Sequence, residues 1–176
     1  YSKYFSMNTD IDAINYLQLA NDLVREVKKD AITIAEDMSG MPGMCIPVKK
    51  GGIGFDYRLA MGMPDYWEKT LESRDEDWDL SKMWYELSTH REEEARISYV
   101  ESHDQALVGS KTTIFRLADE HMYWDMNKEC RNIEIDRATA LHKMIRWITI
   151  SMGADAYLNF MGNEFCLLYT SPSPRD

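Results

Sequence analysis

At 176 residues, with 44 % apolar and 28 % charged side chains, the chain is long enough to bury one sizeable core and has an ordinary globular balance. Thirty acids against 20 Lys and Arg leave a net charge of −10, which argues against a nucleic-acid backbone or an anionic membrane surface as a partner. No apolar run approaches the roughly 20 residues of a membrane span, and no charged, apolar, then small-residue leader opens the chain. The three cysteines, Cys45, Cys130 and Cys166, are odd in number and far apart, and they lack zinc-site spacing. They predict free thiols in a reducing compartment.

In chain order, residues 1–8 read as an aromatic-rich loop, opened without Met as if inside a longer chain. Thr9-Asp10-Ile11-Asp12 carries a capping-box pattern for a helix start. Ile14, Leu17, Ala20, Leu23, Val24 and Val27 then recur at helical spacing, and Lys28 and Lys29 suit the negative end of the helix dipole. Ala31–Ala35 predicts a buried strand, which stops in Glu36-Asp37 and a Ser-Gly-Met-Pro turn. Residues 40–54 read as loop, and 54–59 as a second short strand. Pro64 opens a helix, 74–79 is a charged link, and Leu80–Thr89 is an amphipathic helix with Met83, Trp84 and Leu87 on one side. Arg91–Arg96 reads as a solvated face. Ile97–Val100 is a third strand, running into Glu101-Ser102-His103-Asp104-Gln105. A helix through Thr113–Tyr123 follows, then an irregular link to Ile135. Asp136 caps a long helix that buries Ala138, Leu141, Ile145 and Ile148 and ends at Gly153. Ala156–Met161 is a fourth strand. Strand and helix thus alternate about four times, the rhythm of a (β/α) barrel or a doubly wound sheet. A full eight-fold barrel needs about 250 residues, so this chain holds roughly half of one.

A buried strand that ends in an acid at the mouth of a parallel sheet is how an α/β enzyme presents a catalytic group. Glu36-Asp37 therefore reads as a proton donor, or else as an acid that caps the turn or pairs with an Arg. His103-Asp104 is a second strand-end acid. Retaining glycoside hydrolysis uses two carboxyls about 5–5.5 Å apart. The alternative is an Asp that orients its neighbouring His. Ser102-His103-Asp104 is not a hydrolytic triad, whose members meet side chain to side chain across a fold. Asp119-Glu120-His121 reads as a solvated helix face rather than a metal site. Met61, Met63, Met144 and Met161 read as core filler. Tyr1, Tyr4, Phe5, Tyr57 and Tyr157 suit either packing or sugar stacking.

Several stretches resemble the glycogen and starch branching enzymes of the α-amylase superfamily. They are Ala35-Glu36-Asp37-Met38-Ser39-Gly40-Met41-Pro42, the run from Gly54 to Met61, the run from Tyr99 to Gly109, Leu141-His142-Lys143-Met144-Ile145-Arg146, and the run from Tyr157 to Phe165. The resemblance implies that residues 1–165 are the second half, about four βα units, of a (β/α)8 catalytic barrel. It implies a retaining transglycosylation that cuts α-1,4 links in glycogen, amylose or amylopectin and rejoins the segment through α-1,6 links. Glu36 would be the general acid/base, Asp104 the transition-state stabiliser, and His103 a hydrogen-bonding partner of the sugar. No metal or cofactor is implied, and the setting would be cytoplasm, or plastid in a plant or alga. The family's nucleophilic Asp lies on a strand before Tyr1. Residues 166–176 depart from the family's Gly-His-Pro-type continuation and read as a foreign tail. The expectation is a chain that is inactive alone and needs the missing barrel half to fold. An α-glucan hydrolase and a non-catalytic glucan-binding fragment are the rival readings.

Overall fold

The computed structural model describes residues 9–109, 111–127, 129, 131–152 and 155–162. The expectations for residues 1–8, Cys130, Gly153 and the segment from 163 to the end fall outside them. The fold is α/β. Helix α1 is Ile11–Val27, β1 Ile34–Ala35, β2 Tyr57–Leu59, α2 Gly62–Thr70, α3 Leu80–Ser88 and β3 Arg96–Ser98. Then come α4 Thr113–Ala118, α5 His121–Trp124, α6 Ile133–Met152 and β4 Ala156–Tyr157. The sheet order is β1-β2-β3-β4. β1 pairs parallel with β2, Ile34 opposite Tyr57, and β2 pairs parallel with β3, Arg58 opposite Arg96. Each strand is shorter than its β-rich stretch of sequence.

The described chain divides into two compact units. The first holds the chain to Met61 together with Thr89–Ile97, and the second holds Gly62–Ser88 and the chain from Ser98.

In the first unit α1 is capped by Asp10, one residue after the expected Thr9, its carboxylate accepting the Ala13 N–H at 3.0 Å. Ile14 and Leu17 pack on a core of Ala35, Met44 and Ile53. The same side of the helix carries Gln18, Asn21 and Arg25, which donate to the carbonyls of Gly52, Ile53 and Gly54. Those bonds satisfy loop carbonyls that burial would otherwise leave unpaired. They also fix which way α1 faces. Leu23, Val24 and Val27, expected in the buried stripe, are exposed, Val27 at 80 %. At 3.6 residues per turn, Tyr16, Leu19, Leu23 and Val27 form a second apolar row on the opposite side. The loop onto which α1 packs needs its glycines: a Cβ at Gly52 would lie 2.0 Å from the Ile46 carbonyl oxygen.

In the second unit the core is Ile114, Ala118, Met122 and Ala138, which joins α4, α5 and α6. The expected single helix over 113–123 breaks at Asp119, whose φ of +44° lies in the left-handed region. Its second half is α5, and the expected irregular link is non-helical over the described residues from Asp125 to Asn132 before α6 starts at Ile133. Asn132 caps that helix, not Asp136, its side-chain oxygen accepting the Glu134 N–H at 2.9 Å. The buried row of α6 is Ala138, Leu141, Ile145 and Thr149, so Thr149 takes the place expected of Ile148. Trp67 on α2 is buried, and its Nε1–H donates to the Thr149 hydroxyl at 2.9 Å, which in turn donates to the Ile145 carbonyl. On α3, Met83 and Leu87 are buried but Trp84 is 64 % exposed, because it lies about 60° around the helix from Leu87 and about 100° from Met83. Of the expected Met fillers, Met63 is buried, whereas Met144 and Met161 are exposed, the latter at 86 %. The Ser98 carbonyl accepts the Leu158 N–H at 2.9 Å and so draws the chain after β4 alongside β3.

Candidate active site

Glu36 follows β1 directly. Ala35 turns into the core and Glu36 turns out to solvent, the alternation that a strand imposes. Its neighbour is committed elsewhere. The Asp37 carboxylate accepts from Arg58 Nη2 at 2.7 Å and from the Ser39 hydroxyl at 2.7 Å, and Ser39 Oγ then accepts the Met41 N–H at 3.1 Å. Asp37 therefore performs both structural roles that the sequence leaves open for the acid pair, pairing with an Arg and shaping the turn. The candidate proton donor is Glu36.

Arg58 organises this loop from the middle of β2. It is buried, and besides Asp37 its guanidinium donates to the Met41 carbonyl at 2.8 Å and lies 3.3 Å from a Glu94 oxygen. Glu94 is buried too and is shared with Arg91 at 3.2 Å; Arg91 Nη2 donates to the Gly40 carbonyl at 2.9 Å. The solvated face expected for Arg91–Arg96 holds at Arg91, Glu92 and Glu93, which are exposed, and fails at Glu94. Glu94 is the buried centre of a charge cluster, and Arg96 already belongs to β3. Two guanidiniums and two carboxylates leave the cluster neutral, which is how buried charges are tolerated.

Behind β1, Asp56 accepts from the Thr33 N–H at 2.8 Å and from Arg25 at 2.9 Å. Burial pushes its carboxyl up, but the Thr33 and Arg25 contacts outweigh this and hold it below the ordinary Asp range. A depressed folded pKa stabilises above the unfolded pKa of about 4, and that contribution is lost as pH falls from there through the lower folded value. Asp56→Asn is expected to lower the urea midpoint at pH 7 and to flatten its fall between about pH 5 and 3. An unchanged acid limb in the variant would overturn this assignment.

His103 and Asp104 lie in the second unit. After β3 the residues Tyr99, Val100, Glu101 and Ser102 are all buried, and the chain emerges at His103. Its Nε2 lies 3.3 Å from Asp104 Oδ1, with both side chains about half exposed or more. The structure brings this pair together, so the orienting-Asp reading has its geometry. Ser102 is turned away from them. Its hydroxyl and N–H both donate to Gln105 Oε1, at 3.1 and 3.0 Å, and its Oγ accepts the Asp104 N–H at 3.2 Å. His121, considered above with Asp119 and Glu120, contacts Asp125 at 2.6 Å, a bond that raises its pKa, and Asn132 at 3.1 Å. Among the described residues no three His, Cys, Asp or Glu side chains come together as metal ligands, and no helix is long and apolar enough to cross a membrane.

Sequence reasoning missed Arg58 and Glu94 beside Glu36 and Asp37. Arg58 stands inside a family-like stretch, but only the fold reveals its partners.

No family model matches the chain. It is 54 % identical over 166 residues to a chloroplastic/amyloplastic 1,4-alpha-glucan-branching enzyme 2-2 of Arabidopsis thaliana, covering 94 % of the chain and 21 % of that protein. It is 53 % identical over 167 residues to a 1,4-alpha-glucan-branching enzyme of Felis catus, and 52 % identical over 172 residues to one of Saccharomyces cerevisiae. Each alignment covers 94 % of the chain and 24 % of the relative. The chain thus spans about a fifth to a quarter of the length of the curated relatives it matches. Across 94 % of its length this chain is similar to one segment of 1,4-alpha-glucan-branching enzymes.

Proposed function

We propose that the longer protein containing this segment is a retaining 1,4-α-glucan branching enzyme, that residues 1–165 are the second half of its (β/α)8 barrel, and that Glu36 is its general acid/base. What carries the reading is identity above 50 % to plant, mammalian and yeast branching enzymes along nearly the whole chain. The local structure supports it. Glu36 is exposed at the carboxyl end of a parallel strand, while the acid beside it is tied to Arg58.

In the mechanism, a carboxylate from a preceding strand attacks the anomeric carbon of an α-1,4-linked glucose. Glu36 gives its proton to the departing glycosidic oxygen, and the chain is held as a glycosyl ester. Glu36, now a carboxylate, takes the proton of an acceptor 6-hydroxyl, whose oxygen displaces the ester and forms the α-1,6 link. Asp104 stabilises the positive charge that develops on the sugar, and His103 hydrogen-bonds the ring at the cleavage point. A positioned sugar hydroxyl must outcompete water, so holding the acceptor is part of the catalysis. The substrates are α-glucans such as glycogen, amylose and amylopectin, and the work is glycogen or starch synthesis in cytoplasm or plastid.

The test is product analysis after the full-length protein acts on amylose. New α-1,6 links without new reducing ends are expected. New reducing ends alone would make it an α-glucan hydrolase, and neither product would overturn the enzyme reading.

A further inference from the structure

Glu101 is the least expected buried group in the second unit. It is 4 % exposed at the end of a strand, two residues before His103, yet it points away from the exposed pair. One carboxylate oxygen accepts the Thr113 N–H at 2.6 Å, the first turn of α4. The other lies 3.9 Å from His142 Nε2 on α6, a buried nitrogen without a hydrogen-bond partner among the described residues. Tyr157 on β4 is near enough that burial, together with the Glu101 charge, pushes its phenol above the ordinary range. Glu101 thus touches α4 and α6 from the end of β3. Its bond to Thr113 spans the segment that holds His103 and Asp104, bracketing it from both ends.

We propose that Glu101 is the positioning residue for His103 and Asp104: it pins the end of β3 to the N-terminus of α4 and to α6, and so fixes where the exposed pair meets the sugar. The proposal rests on the branching reading above. His103 lies just before, and Asp104 opens, a short π-helix over Asp104–Gly109, so where the half-exposed pair sits depends on how that segment is anchored. A displacement of about 1 Å can cost roughly a hundredfold in rate. A buried carboxylate with a short bond to a backbone N–H supplies that constraint, and the Ser102–Gln105 turn transmits it over the two intervening residues.

The experiment compares Glu101→Ala, Glu101→Gln and Glu101→Asp in the full-length protein, measuring kcat and KM for branching together with Tm. Glu101→Ala is expected to lower kcat roughly 10- to 100-fold with KM little changed, the signature of lost transition-state geometry. Glu101→Gln keeps the length and the oxygen that accepts the Thr113 N–H, and is expected to recover most of kcat. Glu101→Asp keeps the charge but is too short to hold both partners, and is expected to stay slow. Should the Ala variant not fold, the Gln and Asp pair decides. A lower Tm with unchanged kcat per folded molecule would make Glu101 a structural cap and overturn the proposal. So would Asp near wild type with Gln slow. A wild-type protein with no branching activity would overturn the function and this proposal together, whereas an active one with unaffected variants overturns the proposal alone.

Discussion

Glu36→Gln in the full-length protein is expected to reduce branching by about 10²- to 10⁴-fold, the range that a positioned general acid/base contributes. The amide keeps the shape of the side chain but can neither give nor take the proton. Glucan binding is expected to persist, since the loss falls on a group used in the transition state. Stability is expected to stay within about 0.5 kcal/mol, because Glu36 is exposed beside the Arg58 cluster rather than inside it. The informative control is Asp37→Asn, next door. Its carboxylate serves Arg58 and Ser39 at 2.7 Å each, so the expected damage there is to stability and loop geometry. The measurement is the rate of α-1,6 link formation by each variant, with Tm alongside. Glu36→Gln with activity near wild type would remove Glu36 from the acid/base role.

Arg58→Met is expected to cost about 3–5 kcal/mol, the penalty for removing one partner of a buried ion pair. Glu94 is the reason. It is buried between two guanidiniums, and Arg91, itself partly exposed, is left to compensate it alone. The Met41 carbonyl and the Asp37 carboxylate lose donors at the same time. The loss is read from thermal or urea unfolding of the full-length protein. Adding Glu94→Leu to Arg58→Met is expected to restore part of the stability, since apolar replacements of a whole buried pair are often tolerated. If the double variant were as unstable as the sum of the singles, Arg58 and Glu94 would not be acting as a pair. Arg58→Met is also expected to lower kcat, because the loop it anchors begins at the residue after Glu36.

The helices were legible because apolar residues recur every three to four positions, and all the longer ones lie close to where that pattern places them. Their faces were less so. α1 has apolar residues on two sides, and periodicity alone merges them into one stripe. Asn21 and Arg25, read as ordinary polar positions, decide which side is inward, because the Ile53 and Gly54 carbonyls lie there. The strands were overdrawn, since β-rich composition continues past the two or three residues that pair. Within the candidate site, Glu36 and Asp37 are equivalent in sequence. What separates them is Arg58, 21 positions further along, and no local pattern carries that. Within Arg91–Arg96, Glu94 was misread for the same reason. A run of charges looks solvated until a guanidinium 36 residues earlier is found against Glu94. His103 and Asp104 were visible as strand-end polar residues, but the clamp behind them, Glu101 with Thr113 and His142, joins three elements distant in sequence.

The first unit is interrupted: the chain leaves it at Met61 and re-enters at Thr89. On a ribosome this sets a timetable. At about 5–20 residues per second, roughly 2 to 7 seconds separate the synthesis of Arg58 from that of Glu94. During that interval β2 has no β3 to pair with, and Arg58 has Asp37 but neither Glu94 nor its companion Arg91. The β1–β2 pairing and the α1 contacts can form first, whereas the loop beside Glu36 waits for a stretch made after two intervening helices. The segment next to the candidate acid is therefore among the last parts of its unit to set as the protein is made.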